Sequence, residues 1–315
     1  MAIINLLLLL IFLAVLVKTV NYAIKYSSRL AKLLNLSEFI VSFFIIAFIS
    51  VLPEATISII SAIKGDPGMG LGTILGSNLV DLTFIFGIVA LFSPNGIKVK
   101  SKILQNNFVY LILLAFAIVL GSDGSFSRTD GIILVCSGLL FFVKIYLESR
   151  RFRKKFKHNQ KGHLFRDLSF LILSLLVILA AAAFTVKFAV AFAYDINFPT
   201  FLIGITILAI GTCLPELVLS LKAVKENKDG IALGDILGTV IVDATIILGI
   251  VMIISPFSYD VSNLYVTGGA LFIGGVLVTF FMKSERSISK IEGVLLILFY
   301  ISYVFAEFFM NKVIW

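Results

Sequence analysis

The chain has 315 residues, of which 60% are hydrophobic and only 14% are charged. Soluble domains carry about 25% charged residues, so this composition excludes a water-soluble enzyme or binding domain and indicates an integral membrane protein. The formal net charge of +8 follows the membrane topology described below, and we therefore expect no nucleic-acid partner.

Apolar runs along the chain predict membrane-spanning helices. A helix that crosses a hydrocarbon core of roughly 30 Å needs about 20 predominantly apolar residues. The first run lacks the basic start and the small-residue cleavage site of a signal peptide, so we expect it to be a spanning helix. The predicted spans, in chain order, are 3–22, 37–61, 70–93, 106–122, 130–147, 168–194, 199–222, 230–255, 264–282 and 290–311. The sequence therefore predicts an all-α polytopic membrane protein with ten transmembrane helices.

Basic residues are distributed unevenly between the loops on the two sides of the predicted bundle. If the N-terminus lies outside, the outer side carries only Lys64, Arg128 and Lys312, whereas the inner loops hold five basic clusters, the largest at 150–166. Because loops rich in Lys and Arg stay in the cytoplasm, we expect a multi-pass protein of the cell membrane with both termini outside.

The chain contains an internal duplication. Residues 51–89 align without a gap on residues 213–251, at a constant offset of 162 positions, so that Val51 aligns with Cys213. Polar residues, glycines and a proline recur at this offset, which makes chance similarity a poor explanation. The recurring residues of the first copy are Leu52, Pro53, Glu54, Ser58, Gly72, Gly76, Asp81, Thr83 and Gly87.

The duplication predicts two halves of opposite orientation. Each half holds five predicted spans, and because five is odd, the second half enters the membrane from the opposite side. We expect a first repeat at 1–147, with its duplicated core at about 43–90, and a second at 168–315, with its core at about 205–252. The basic segment 148–167 is the expected cytoplasmic linker. Inverted-topology repeats with helices broken at the midplane are typical of secondary transporters.

Each duplicated core places a glutamate directly after a proline in an apolar run, in "VLPEATIS" (51–58) and "CLPELVLS" (213–220). Proline has no N–H and clashes with the carbonyl four residues earlier, so we expect both helices to break at the membrane midplane. Irregular backbone is tolerated there only where it is buried in protein or lines a watered cavity. The breaks should therefore bring carbonyl oxygens close to Glu54 and Glu216.

The segments that follow add further acids and hydroxyls. Ser77 and Asp81 are four residues apart, as are Thr239 and Asp243, so each hydroxyl shares a helix face with a carboxylate. Glycines spaced four apart allow close helix approach; they are Gly72, Gly76, Gly234 and Gly238. Around a pseudo-two-fold axis, one cluster of oxygens should form near the bilayer centre. Its expected members are Glu54, Glu216, Asp81, Asp243, Ser50, Thr212, Ser77 and Thr239.

This acidic cluster needs positive charge, because an intramembrane carboxylate costs roughly 2.5–3.5 kcal/mol. Among the charged residues nearby, Lys64 and Lys222 lie only near the ends of these segments, so we expect a bound metal cation or protons. Oxygen ligands suit Ca²⁺, and the lack of His within the predicted spans and of clustered Cys argues against zinc or copper. Asp235 aligns with Thr73, and its role, as a ligand or as a polar residue near a helix start, stays open.

Two pairs of motifs, "SVLPEATIS" with "GTILGSNLVD" and "GTCLPELVLS" with "GDILGTVIVD", resemble the two α-repeats of the Ca²⁺/cation antiporters. They are most similar to the Na⁺/Ca²⁺ exchanger branch. The resemblance extends over the ten-segment layout. It implies a ten-helix inverted bundle that exchanges Ca²⁺ for Na⁺ or protons by alternating access.

The resemblance also implies roles for individual residues. Glu54 and Glu216 would bind Ca²⁺ at a central metal site together with Ser50 and Thr212. Asp81 and Asp243 would lie at the middle, as cation ligands or proton acceptors. Flanking cation sites would be formed by Ser77, Thr239 and the backbone oxygens of Ala47 and Ala209.

The chain departs from the family's usual Gly-Thr-Ser-Leu-Pro-Glu motif. Ile49 and Val51 flank the single hydroxyl of the first copy, and Cys213 replaces the second hydroxyl of the second copy. Asp81 stands where prokaryotic relatives often have Asn, and a group of like charges in a low dielectric favours proton binding. The counter-ion stays open: Ca²⁺/Na⁺ exchange is our first expectation, and Ca²⁺/H⁺ antiport is the alternative.

Two other classes are less consistent with the sequence. A cation channel with a carboxylate ring needs an oligomer or a continuous pore, whereas inverted broken helices favour alternating access. An intramembrane aspartyl protease could use Asp195 and Asp235, but Ala232 replaces the glycine of its second motif and Asp195 lies at the end of a predicted span. We therefore expect a monomeric transporter in the lipid bilayer, not an enzyme, with no cofactor and with Ca²⁺ and a monovalent cation as substrates.

Overall fold

The computed structural model of the chain describes residues 2–65, 67–99, 109–151, 163–195, 209–259, 264–284 and 286–312. Helices dominate these residues, as the apolar runs predict. In chain order the helices are α1 (Ala2–Leu33), α2 (Glu38–Ser50), α3 (Leu52–Ile63), α4 (Pro67–Leu79, continued by Val80–Ile85 and Phe86–Phe92), α5 (Val109–Leu120), α6 (Arg128–Arg151), α7 (Leu164–Asp195), α8 (Ala209–Thr212), α9 (Leu214–Lys225), α10 (Asp229–Ile254), α11 (Leu264–Ser284) and α12 (Lys290–Lys312). The strands are β1 (Ile97–Lys98), β2 (Ser125–Phe126), β3 (Phe257–Ser258) and β4 (Ser287–Ile288).

Every predicted span overlaps at least one of these helices. By length and hydropathy, six helices within the described ranges could cross a membrane, namely α1, α4, α6, α7, α10 and α11, and the bent pair α2–α3 would make a seventh. Helix α5 is shorter but apolar. The protein is therefore a mostly helical, multi-pass membrane protein, and the count of ten spans stays a prediction.

Helices α1 and α7 form a long antiparallel pair. Each has 32 residues, and their boundaries differ by the offset of 162 positions seen in the duplicated cores. The ring of Phe12 stacks on that of Phe184 at 4.7 Å between centroids. Helix α1 extends well beyond the predicted span 3–22, because the sequence contains no breaker before Asn35, which has a positive φ of 54°. The basic residues after position 22 are therefore helical.

Helices α4 and α10 occupy the centre of the bundle. In the most apolar stretch of each helix, 78% of the residues of α4 and 83% of those of α10 are buried, compared with 11% for α1. Both helices contain a π-helical segment at the same offset, Val80–Ile85 in α4 and Val242–Ile247 in α10. Each segment begins one residue before a predicted site aspartate. Single π turns inside α-helices occur frequently at functional sites, and the hydropathy pattern does not predict them.

Both copies contain a helix break directly before the Pro-Glu motif. Helices α2 and α3 meet at Val51 with a bend of 43°, and Pro53 lies in the first turn of α3, where its missing N–H costs nothing. In the second copy α8 ends at Thr212, and Pro215 occupies the corresponding place in α9. The predicted residues 199–208 lie outside the described ranges, so the bend is measured only in the first copy.

The predicted close approach at glycines is found on α10 but not on α4. A Cβ built on Gly234 would lie 2.5 Å from the Phe39 carbonyl oxygen, and one on Gly238 would lie 2.5 Å from the Ala47 Cβ. Helix α10 therefore packs backbone to backbone against α2. For Gly72, within the part of the chain that the structure describes, no atom lies within 4 Å of the corresponding position, and the same is true of Gly76.

Two short antiparallel ribbons connect the two halves of the chain. Strand β1 pairs with β4, with Ile97 opposite Ile288, and β2 pairs with β3, with Phe126 opposite Phe257. Helix α11 lies between β3 and β4 in the chain, and its 21 residues span about 31 Å. The ribbons therefore lie at opposite ends of α11. Two-residue strands have no detectable sequence periodicity, and the all-α prediction did not include them.

Candidate functional site

The four predicted acids are fully buried at the centre of the bundle. Glu54, Asp81, Glu216 and Asp243 are each at most 1% exposed. Both glutamates lie in the first turn of a helix that starts after a break, α3 or α9, and both aspartates lie in the π-helical segments of α4 and α10. The unpaired N–H groups and the dipole at a helix N-terminus offset part of a carboxylate's charge.

The predicted hydroxyls lie beside these acids. Each glutamate is faced by a hydroxyl from the other copy. Ser50 of the first copy faces Glu216 of the second, and Thr212 of the second faces Glu54 of the first. These two pairs are related by the same offset of 162 positions. The hydroxyl of Ser77 donates a weak hydrogen bond of 3.5 Å to Asp243 Oδ2. One cluster of acids and hydroxyls, which we call the pocket, is therefore built from both copies.

The carboxylates of this pocket repel one another. Glu54 interacts electrostatically with Asp243 and Asp81, and Glu216 interacts with Glu54 and Asp235. The ion pairs recorded in the described ranges involve other acids: Asp167, Glu148 and Glu226. No Lys or Arg of the described chain is therefore seen to pair with the pocket acids.

Several oxygen atoms of the pocket are buried without a hydrogen-bond partner. Both carboxylate oxygens of Glu216 are in this state, together with one oxygen from each of the other acids; these atoms are Glu54 Oε2, Asp81 Oδ1, Asp235 Oδ2 and Asp243 Oδ1. A buried unpaired polar atom costs about 1–3 kcal/mol, and more when it is charged. The pocket therefore has unused capacity to bind positive charge.

No group of three or more His, Cys, Asp or Glu side chains in the described residues has the geometry of a metal site. A cation at the pocket can combine one or two carboxylates with hydroxyl and carbonyl oxygens. The predicted set has this composition. Ala47 is fully buried, and Ala209 is the first residue of α8.

The role of Asp235 is open from the sequence alone, and the structure places it in the pocket. Asp235 is 0% exposed, and its Oδ1 accepts a hydrogen bond of 3.0 Å from Ser50. The sequence contains a signal for this placement, since Asp235, Thr239 and Asp243 are spaced four apart and share one helix face. Asn78 is a second buried polar residue that was not predicted, and its side-chain polar atoms have no partner.

Both cysteines lie in apolar runs of the sequence, where packing is the simplest expectation, but they differ in position. Cys136 is exposed on α6. Cys213 is buried, and its Sγ lies 3.9 Å from Glu54 Oε1 and 3.9 Å from the Ser77 carbonyl oxygen. Cys213 is therefore a component of the pocket wall.

The sequence matches the model of the family described as "Sodium/calcium exchanger protein" over residues 4–147 and 167–309. The chain is 27% identical to the sodium/calcium exchanger MaX1 of Methanosarcina acetivorans, with 98% of this chain and 99% of MaX1 aligned. It is 31% identical to the membrane protein MJ0091 of Methanocaldococcus jannaschii, with 87% and 88% aligned.

A solved structure of the sodium-calcium exchanger NCX_Mj, soaked with zero Na⁺ and Ca²⁺, superposes with a TM-score of 0.84 at 27% identity, covering 97% of this chain and 99% of the other. The matches extend through both copies of the Pro-Glu motif and through the pocket that they form. This chain therefore belongs to the sodium/calcium exchanger family.

Proposed function

We propose that this antiporter exchanges Ca²⁺ for Na⁺ across the cell membrane by alternating access. The observation that carries the proposal is the pocket of buried carboxylates, built from both copies and without a cation of the described chain paired to it. Helix N-termini offset only part of this negative charge. A mobile cation is the natural partner of such a pocket.

The central ligands in this proposal are Glu54 and Glu216, with the hydroxyls of Ser50 and Thr212. Calcium accepts six to eight oxygen ligands at flexible geometry, which suits carboxylates that face one another together with neutral oxygens. The flanking cation sites use Ser77, Thr239 and the backbone oxygens of Ala47 and Ala209. Asp81 and Asp243 lie between the two broken helices, as cation ligands or proton acceptors.

The proposal includes a ten-helix architecture of two inverted five-helix repeats, 1–147 and 168–315. The ribbons support inversion: β1 follows α4 and β3 follows α10, which are equivalent helices, yet β1 and β3 belong to ribbons at opposite ends of α11. In an inverted pair, a rocking motion of one part of the bundle can expose the same pocket to either side. The protein works as a monomer in this proposal.

The alternative counter-ion is the proton. A specific observation favours it, since Val51 and Cys213 provide no hydroxyl at the breaks while five buried acids share the pocket. Carboxylates that repel one another bind protons readily. A Ca²⁺/H⁺ antiporter would use the same central ligands.

Transport of ⁴⁵Ca²⁺ into proteoliposomes under an imposed Na⁺ gradient, and separately under an imposed pH gradient, tests the proposal. We expect uptake that depends on the Na⁺ gradient and that is abolished by Glu54→Gln and by Glu216→Gln, because each removes one of the two central carboxylates. Glu226→Gln is the matched control, since Glu226 pairs with Lys228 outside the pocket. Full activity of either pocket variant would refute the central site, and uptake driven only by the pH gradient would favour the alternative.

A further inference from the structure

We propose that Asp235 is the charged ligand of a Na⁺ subsite on one flank of the pocket. This inference rests on the proposed exchange function. The other oxygens of the subsite come from Ser50, Thr239 and the backbone of Ala47. Asp235 has no acidic counterpart in the first copy, where Thr73 aligns with it, so the subsite is specific to one flank.

The four oxygens are held together by Ser50. Its Oγ lies 3.0 Å from Asp235 Oδ1, 3.1 Å from Thr239 Oγ1 and 3.3 Å from the Ala47 carbonyl oxygen. Because a hydroxyl carries only one proton, Ser50 cannot donate to Asp235 and to Ala47 at the same time. At least one of these acceptors therefore remains available to a cation.

Two further observations indicate that this flank can accept a positive ligand. Asp235 Oδ2 is buried and has no hydrogen-bond partner. Glu216 interacts electrostatically with Asp235, it is 0% exposed, and neither of its oxygens has a partner. Two unsatisfied carboxylates thus lie close to one cluster of neutral oxygens, and a cation there would reduce the repulsion between them.

The composition of the oxygen cluster favours a monovalent ion. Asp235 supplies the carboxylate that accepts a hydrogen bond from Ser50, and Glu216 belongs to the proposed central Ca²⁺ site. The cluster therefore contributes a single negative charge of its own, which matches Na⁺, whereas calcium sites use several acidic ligands. A proton on Asp235 would neutralise one carboxylate oxygen, whereas a cation can contact all the oxygens of the cluster. On the other flank, Ser77 lies beside Asp243 and the Ile74 carbonyl oxygen, and no additional acid is present at position 73.

Asp235→Asn and Asp235→Thr test the subsite in proteoliposomes. Asn keeps an acceptor for Ser50 but removes the charge, and Thr is the residue of the first copy. In both variants we expect the half-saturating Na⁺ concentration for Ca²⁺ exchange to rise about tenfold or more, with a lower Hill coefficient for Na⁺, while the KM for Ca²⁺ changes less than about threefold. Glu226→Gln, outside the pocket, should leave both quantities unchanged.

An unchanged Na⁺ dependence in both variants would overturn the inference. So would an equal rise in the Ca²⁺ KM, which would assign Asp235 to the shared central site. A pH profile of transport that shifts while the Na⁺ dependence stays constant would also overturn it, because Asp235 would then carry a proton.

A second measurement separates this inference from the proposed function. In detergent, NaCl should raise the unfolding temperature of the wild-type protein relative to choline chloride, and Asp235→Asn should reduce that shift. If the wild type shows no Na⁺-driven Ca²⁺ transport, the exchange proposal fails. A Na⁺-dependent shift that Asp235→Asn removes would still support the subsite, and an equal shift in both proteins would overturn it.

Discussion

The side chain of Cys213 determines which ligand atom the pocket offers to a cation beside Glu54. Its Sγ lies within 3.9 Å of Glu54 Oε1 and of the Ser77 carbonyl oxygen, where a hydroxyl would provide a hard oxygen ligand. Sulfur is a soft ligand and a weak hydrogen-bond donor, so it contributes little to binding Na⁺ or Ca²⁺. At the equivalent position of the first copy, Val51 is buried and apolar. Neither copy provides a hydroxyl at this point.

We predict that Cys213→Ser lowers the half-saturating Na⁺ concentration for Ca²⁺ exchange by about three- to tenfold, because an oxygen ligand replaces sulfur beside Glu54. The measurement is the Na⁺ dependence of ⁴⁵Ca²⁺ flux in proteoliposomes. Cys213→Ala is the control for volume and should not strengthen Na⁺ binding. An equal gain in the Ser and Ala variants would show that the oxygen has no part in the effect.

Sequence spacing predicted most of the pocket residues but not all of them. Glu54 and Glu216 were predictable because they are duplicated and lie in otherwise apolar runs. Asp235 was left open because it has no duplicate, although its spacing from Thr239 and Asp243 places it on their helix face. Its contact with Ser50 joins α2 to α10, and contacts between distant elements depend on tertiary packing, which spacing along one helix does not report.

At the scale of elements, glycines allow two close helix crossings between the halves of the chain. Helix α4 meets α12 where a Cβ built on Gly87 would lie 2.6 Å from the Gly293 carbonyl oxygen. Helix α10 meets α6 where a Cβ on Gly249 would lie 2.7 Å from the Gly131 carbonyl oxygen. The two crossings are related by the offset of 162 positions. Each joins a helix of one half to a helix of the other.

We predict that Gly249→Ala lowers the free energy of unfolding by about 1–3 kcal/mol, because the added methyl group meets backbone that cannot rotate away. Gly269→Ala is the matched control, since no atom of the described residues lies within 4 Å of that position and Ala favours helix more than Gly does. Thermal unfolding in detergent measures both variants. Equal unfolding temperatures for the two variants would contradict the close crossing.

Some features of the helices could not be predicted from the sequence. Hydropathy located the helices but not the π-helical segments Val80–Ile85 and Val242–Ile247, because one extra residue in a turn barely changes an apolar pattern. Helix α1 also continues beyond the predicted span 3–22, because the span marks only the apolar run, and long Lys and Arg side chains can remain on a helix that extends beyond the hydrocarbon region.

At the scale of the whole molecule, charge distribution and strand pairing lead to the same topology by separate routes. The positive-inside rule assigns the loops that contain β1 and β4 to the cytoplasm and those that contain β2 and β3 to the outside. The structure pairs β1 with β4 and β2 with β3. Loops on opposite sides of a membrane cannot pair, so the pairing is consistent with the assigned sides.

Inversion itself can be tested at equivalent strands of the two repeats. Lys98 in β1 and Ser258 in β3 are both exposed, and in a Cys136→Ala background the remaining cysteine, Cys213, is buried. In sealed right-side-out vesicles we expect a membrane-impermeant maleimide to label Ser258→Cys directly and Lys98→Cys only after permeabilisation. The background protein alone should stay unlabelled. Labelling of both positions from the same side would contradict inversion, because two repeats of equal orientation would place β1 and β3 on one face of the membrane.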